Sequence, residues 1–261
     1  MIRILPDQER VAWAAARIVV SLLRKHAQSD RRPVTLVLSG GRSPRRMYEL
    51  LAGETGAQIP WGEIALLWGD ERCVSPEDER SNYHLAASTG LLAKPWAVIQ
   101  RMAAESDPER GAKAYEATVR GLFPAQSLPR LDVVLLGLGD DGHIASLFPG
   151  SPALAETKRL AVATEKRDGV RRLTLTLPIL ARARDLLFVV TGKAKASTVR
   201  LALDEKDPPG VAIPARLLRE MAEAQRATGR SRSTITWVLD EAAASLLAGA
   251  PGRLDGGSVS R

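Results

Sequence analysis

The residues best suited to chemistry crowd into one short stretch, LDVVLLGLGDDGHIASLFP over 131–149. A buried-looking strand at 131–136 stops at Gly137 and Gly139, and Asp140, Asp141 and His143 follow at once. An imidazole takes a proton near neutral pH, and a neighbouring carboxylate can fix its tautomer and orientation. Asp141 and His143 therefore read as a base and its support. The chain has three histidines. His26 and His84 lie in helical patterns and read as packing or surface residues, which singles out His143. One imidazole with scattered acids offers too few ligands for a metal, and none is expected.

Three other stretches supply groups for an anion. Ser39-Gly40-Gly41-Arg42-Ser43-Pro44 follows an apolar run at 34–38. Its glycines let backbone N–H groups converge, and a helix start just beyond adds unpaired amides and partial positive charge. That suits a phosphate; a plain strand-to-helix turn is the other reading, and the motif alone does not decide. It lacks the Gly-Lys-Ser/Thr ending of a Walker A loop and is no G-x-G-x-x-G fingerprint. In Trp68-Gly69-Asp70-Glu71-Arg72, Arg72 can grip an oxyanion or phosphate with Asp70 or Glu71 orienting it, or the run is a solvated turn. Cys73 next door reads as a small packing residue. Arg171-Arg172 opens an apolar run, and Lys193 and Lys195 follow Gly192. Lys195 falls in the first turn of a helix, against the macrodipole, where a bound anion would account for it; a solvated lysine is the plain alternative.

These groups need elements to aim them. Residues 7–27 carry apolar positions at helical spacing, and 34–38 and 64–68 read as buried strands. Ser43 and Pro44 read as an N-cap and first helical residue, 69–72 as a loop, and 82–92 as a helix. A short strand is expected at 97–101 and a helix from Asp107 to about Leu122. Strands follow at 131–136, 159–163, 172–177, 186–191 and 234–239, with helices at 194–203 and 215–224 between them. Alternating strands and helices predict an α/β fold, a mainly parallel sheet flanked by helices on both faces. In such sheets ligands bind at the carboxyl ends of the strands. Residues 1–248 are expected to form a single domain, with 249–261 a disordered tail.

Composition narrows the class. The 261 residues are 45% apolar and 26% charged, with a net charge of +7 and one cysteine. Intramolecular disulfides are thereby excluded. The basic residues are scattered and aromatics are 4% of the chain, too few for a base-stacking platform, so nucleic acid is not an expected partner. No run of about 18 apolar residues exists and the N-terminus does not resemble a secretory signal, which predicts a cytoplasmic protein without membrane attachment. A basic surface favours small anions.

SGGRSP at 39–44, WGDERCVSPEDERSNYHLA at 68–86, LGLGDDGHIASLFPGS at 136–151, RRLTLTLPIL at 171–180 and VVTGKAKA at 189–196 together resemble the 6-phosphogluconolactonases. These belong to a wider group that includes the glucosamine-6-phosphate deaminases, of Rossmann-like sugar-phosphate isomerase type. The resemblance implies hydrolysis of 6-phospho-D-glucono-1,5-lactone to 6-phosphogluconate in the oxidative pentose phosphate pathway, without a cofactor. By position, His143 would be the general base toward water and Asp141 would set its ring. Arg72, Arg172 and Lys195 would supply positive charge for the phosphate and the oxyanion. Ser39, Gly40 and Gly41 would line the pocket, and Asp70 lies near the site by motif. Arg42 stands where a small hydroxyl residue is usual, as an extra phosphate contact or a variant turn. Ile144 is closer to the deaminase pattern, but Phe148 stands where the deaminases have a glutamate. A deaminase-like isomerase or a silent sugar-phosphate sensor are the alternatives, and a monomer or weak homo-oligomer is expected.

Overall fold

The computed structural model describes residues 1–29, 32–126, 128–204, 213–229 and 233–247, so the expected tail at 249–261 lies outside the described residues. In chain order the elements are β1 (Ile2–Leu5), α1 (Gln8–Ala27), β2 (Val34–Leu38), α2 (Ser43–Ala52), β3 (Ile64–Trp68), β4 (Asp70–Arg72), α3 (Asn82–Ser88), β5 (Val98–Ile99) and α4 (Pro108–Gly121). The second half adds β6 (Val133–Leu136), β7 (Ala161–Ala163), β8 (Arg172–Leu175), α5 (Leu177–Ala181), β9 (Asp185–Val190), α6 (Ala196–Leu203), α7 (Pro214–Ala227), β10 (Thr234–Asp240) and α8 (Glu241–Ala244).

Seven strands form one sheet in the order β1-β10-β9-β6-β2-β3-β5. Every pairing within it is parallel. Consecutive residues of β2, β3 and β6 are all buried, and neighbouring side chains point to opposite faces, so both faces are covered. On β9 and β10, Phe188 and Trp237 are cross-strand partners whose rings stack at 3.9 Å. The order has a consequence for function. From β2 the chain runs outward through β3 and β5, then returns to the other side of β2 and continues through β6, β9 and β10. Loops leaving β2 and β6 diverge, opening a crevice at their carboxyl ends.

Helix α1 illustrates how the sequence builds its cover. Asp7 is the N-cap and accepts from Arg10 N at 2.7 Å. Val11, Ala15, Ala16, Val19 and Leu23 recur at helical spacing and are buried, while Arg10 and Arg17 face solvent. The small alanines let the helix approach the sheet closely, and burial of Leu23 alone stabilises by about 1.5–3 kcal/mol.

The expected parallel sheet is present, and the structure corrects several local readings. Residues 70–72 are not a free loop; they form β4, which joins β8 and β7 in a three-stranded antiparallel sheet. Ser43 is not an N-cap. Arg42 holds that position without a capping bond, and the Ser43 hydroxyl bonds that of Thr191 at 3.0 Å. The helix expected over 82–92 ends at Ser88, where Gly90 takes a positive φ of 78° before a further single turn. The strand expected over 172–177 ends at Leu175, and Leu177 opens α5. His26 is a packing residue with a partner: its Nε2 lies 2.7 Å from Asp185. Among the described residues no helix is long and apolar enough to cross a membrane.

Candidate active site

The loops after β9, β6, β2 and β3 meet in a cleft of about 760 Å³ at the switch point. Tyrosine hydroxyls hold two of the strand ends. Tyr48 on α2 accepts from Ser39 N at 3.0 Å and donates to Ser39 O at 2.7 Å. Tyr115 on α4 does the same at Trp68, accepting from N at 2.9 Å and donating to O at 2.8 Å. Backbone groups that leave the sheet ladder to form the site are thus paired rather than orphaned. Burial raises both phenols far above the ordinary tyrosine range, outweighing the lowering by these bonds to backbone, so they stay neutral clamps.

The loop after β6 presents the imidazole. Its Nδ1 lies 2.5 Å from Asp141 Oδ1, which also accepts from the His143 backbone N–H at 3.1 Å. Arg167 donates to the other oxygen, Oδ2, at 2.9 Å. Burial opposes ionisation of Asp141, but its bonds to His143 and the Arg167 charge outweigh it and hold the carboxyl below the usual range. An ionised carboxylate only accepts, so Nδ1 donates and Nε2 carries the lone pair of the neutral ring. His143 lines the cleft. Gly139 makes room for the pair, since a side chain there would overlap His143 Nδ1 and Cε1. Phe148 backs the ring, with centroids 4.4 Å apart.

On the opposite wall, β4 carries Asp70 and Arg72. The buried Asp70 accepts from Ser146 Oγ at 2.6 Å and from Asn82 Nδ2 at 3.2 Å. Arg72 donates to Asn82 Oδ1 at 2.5 Å and to Arg80 O at 2.9 Å. Asn82 thus links the acid to the base, and Gly40 is close enough that any side chain there would strike it. Glu71 faces away from this work. Its carboxylate accepts from the backbone of Arg72, Asn82 and Tyr83 and from Ser81 Oγ, anchoring the start of α3. Burial pushes its pKa up despite those bonds.

The expected residues Ser39, Gly40, Gly41, Arg42, Asp70, Arg72, His143 and Lys195 all line this one cleft. Lys195 also pairs with Asp140 at 2.6 Å. Lys193 lines the cleft as well. The side chains of Arg42 and Lys193 have no hydrogen bond or ion pair among the described residues. Arg172 is not among the residues that line the cleft, but it neighbours one that is. It pairs in register with Arg72, its guanidinium lies 4.9 Å from the Phe148 ring centre, and burial next to Arg72 lowers its pKa. Cys73 is half-buried, and burial pushes its thiol up to about 11, so it is a poor nucleophile at neutral pH. No cluster of three or more metal-ligating side chains occurs among the described residues.

Sequence reasoning missed Asn82, Ser146 and Arg167. Asn82 lies in the 68–86 segment, at the expected start of a helix, and the structure shows Ser81 before it as the N-cap of α3. Arg167 lies in a loop with no motif, and only the folded chain brings it to Asp141.

Comparison with known proteins agrees with this fold. Residues 6–228 match the family described as glucosamine-6-phosphate isomerases/6-phosphogluconolactonase. A 6-phosphogluconolactonase from Synechocystis sp. is 37% identical over 87% of this chain and 90% of its own. Another, from a Nostoc species, is 34% identical over 93% of this chain and 96% of its own. The solved structure of 6-phosphogluconolactonase from Trypanosoma brucei matches with a TM-score of 0.77 at 25% identity, over 95% of this chain and 98% of that one. With its parallel sheet, its switch-point cleft and this likeness along nearly its whole length, the chain belongs to the glucosamine-6-phosphate isomerase/6-phosphogluconolactonase family.

Proposed function

We propose that the chain hydrolyses 6-phospho-D-glucono-1,5-lactone to 6-phosphogluconate, with His143 as general base. One observation carries the reading: an imidazole with Nδ1 committed to an ionised carboxylate opens its other side to a cleft bearing Arg42, Arg72, Lys193 and Lys195. In this mechanism Nε2 takes a proton from water as the water oxygen attacks the lactone carbonyl. The charge that develops on the carbonyl oxygen is met by the cations of the cleft. The bond from the carbonyl carbon to the ring oxygen then breaks, and the imidazolium returns its proton to that oxygen. A lactone is an activated ester, so no covalent nucleophile is needed, and the positioned base contributes about 10²–10⁴-fold.

The substrate's phosphate supplies binding energy remote from the reacting carbon, which orients it. The amides of Ser39–Gly41, Arg42 and the lysines after β9 suit that group, since β2 and β9 loops are tied through Ser43 and Thr191. Arg72 stands on the far side of β2, held by Asn82, with Asp70 as its orienting acid. Arg172 adds charge beside Arg72, on the same face of the second sheet. The same proposal makes residues 1–248 one domain of a cytoplasmic monomer or weak homo-oligomer; sedimentation velocity tests the oligomeric state.

The deciding experiment measures lactone hydrolysis above the spontaneous background. A rate proportional to enzyme concentration supports the reading, whereas phosphogluconate binding without turnover would make the chain a sensor. An aldose–ketose isomerase or deaminase needs a proton-transferring group where Phe148 packs on His143. Ammonia release from glucosamine-6-phosphate would overturn the lactonase assignment in favour of that chemistry.

A further inference from the structure

Arg167 belongs to none of the motifs, yet it reaches the centre of the site from the second sheet. It opens the turn between β7 and β8, where Arg167 and Val170 exchange backbone bonds of 3.0 and 3.1 Å. Asp168 and Gly169 between them take positive φ angles of 54° and 78°, a tight hairpin turn that fixes the direction of the flanking side chains. From there Arg167 donates to Asp141 Oδ2 at 2.9 Å, which leaves Oδ1 to the imidazole. Its guanidinium carbon also lies 4.2 Å from the Phe148 ring centre, and Phe148 packs on His143. One side chain therefore touches both supports of the base.

We propose that Arg167 is a positioning residue that locks Asp141 with Oδ1 toward His143 and braces Phe148 behind the ring. This rests on His143 as the base and adds to it a support from another sheet. A carboxylate has two equivalent oxygens and a soft terminal torsion. An ion pair on one oxygen removes the competing orientations. Arg167 is nearly half exposed, so its charge is partly screened and its main contribution is geometric.

The charge has a readable sign nonetheless. His143 is faced by Asp141 beside it, by Arg167 and Arg172 across Phe148, by Asp70 and Arg72 of β4, and by the Asp140–Lys195 pair. Removing Arg167 subtracts one positive charge from that set. The imidazolium gains stability, and the acid limb of the rate profile moves to higher pH.

Lactone hydrolysis is measured for Arg167→Ala, Arg167→Lys and His143→Ala in the full chain, with the spontaneous rate subtracted. For Arg167→Ala we expect kcat to fall about tenfold with KM changed less than about threefold. The acid limb should rise by a few tenths of a pH unit at low salt, and the rise should shrink near 1 M salt. Arg167→Lys should restore the position of the limb but not all of kcat, since an ammonium keeps the charge and loses the planar fork. An unmoved limb together with an unchanged kcat, or a change confined to KM, overturns the proposal and makes Arg167 a surface or substrate-contacting residue. Loss of turnover in His143→Ala beside wild-type behaviour in Arg167→Ala overturns the brace and spares the base. Full turnover in His143→Ala overturns both.

Discussion

Strand β6 has an aspartate just before its start and another in the loop after its end, and the two carboxylates are used in opposite ways. Asp132 is fully buried. It accepts from Arg32 at 2.8 and 2.9 Å and from the backbone and hydroxyl of Thr35 at 2.8 and 2.9 Å, with Arg184 at 3.3 Å. Its acceptor capacity is filled, and it ties the amino ends of β2, β6 and β9 together. Asp141 is a third exposed and divides its oxygens between His143 and Arg167. What it orients, the imidazole, keeps one nitrogen open to the cleft. A saturated ion cluster stabilises one arrangement of strands; a carboxylate that passes its influence through a ring with a vacant acceptor can act on something that comes and goes.

The sharpest way to break that contrast is to remove what Asp141 serves. His143→Ala should lose about 10²–10⁴-fold in kcat with an unchanged thermal midpoint. A variant that melts early instead would make the imidazole a structural group like Asp132. At the other end of β6, Asp132→Ala leaves two arginines beside a buried vacancy. It should lower the unfolding free energy in urea by about 3–5 kcal/mol while each folded molecule still turns over normally. A fall in turnover without loss of stability would erase the division of labour.

Asp141→Asn probes the same contrast more gently. We expect kcat to drop about 10–100-fold with stability within about 0.5 kcal/mol of wild type. Loss of the anion disfavours the imidazolium, so the acid limb should move to lower pH, the reverse of Arg167→Ala. The depressed pKa of Asp141 gives the linkage its direction. Its contribution is complete above the unfolded carboxyl range and is lost only as pH falls through the lower folded value, so stability near neutrality stays flat. The smallest effect belongs to Cys73. With its thiol raised to about 11, Cys73→Ala should leave turnover unchanged, and iodoacetamide at pH 7 should inactivate the wild type no faster than the variant.

Much of this was legible in the sequence because period and punctuation agreed. β2 and β3 read as strands from short, mostly apolar runs closed by Ser39-Gly40 and by Gly69, and Asp107-Pro108 marked the start of α4. The DDGH bend announced its candidate base through residue type alone. What stayed hidden depends on partners distant in the chain. Residues 70–72 are too short and too charged to look like a strand, and become one only by pairing with 172–174. Ser43 had the chemistry of a cap, but Thr191 lies within reach of its hydroxyl and takes it. Arg172 looked like a ligand-facing cation, and only its register with Arg72 shows that the two guanidinium groups share one face of the second sheet, beside Phe148.

The tyrosine clamps carry one more implication. Tyr48 and Tyr115 reach Ser39 and Trp68 from α2 and α4, so both of these strand ends are fastened to helices rather than to the loops that bear the reactive groups. Heat that loosens either helix would spoil the aim of the pocket in the same event that exposes the interior, so inactivation and melting should coincide on a single curve.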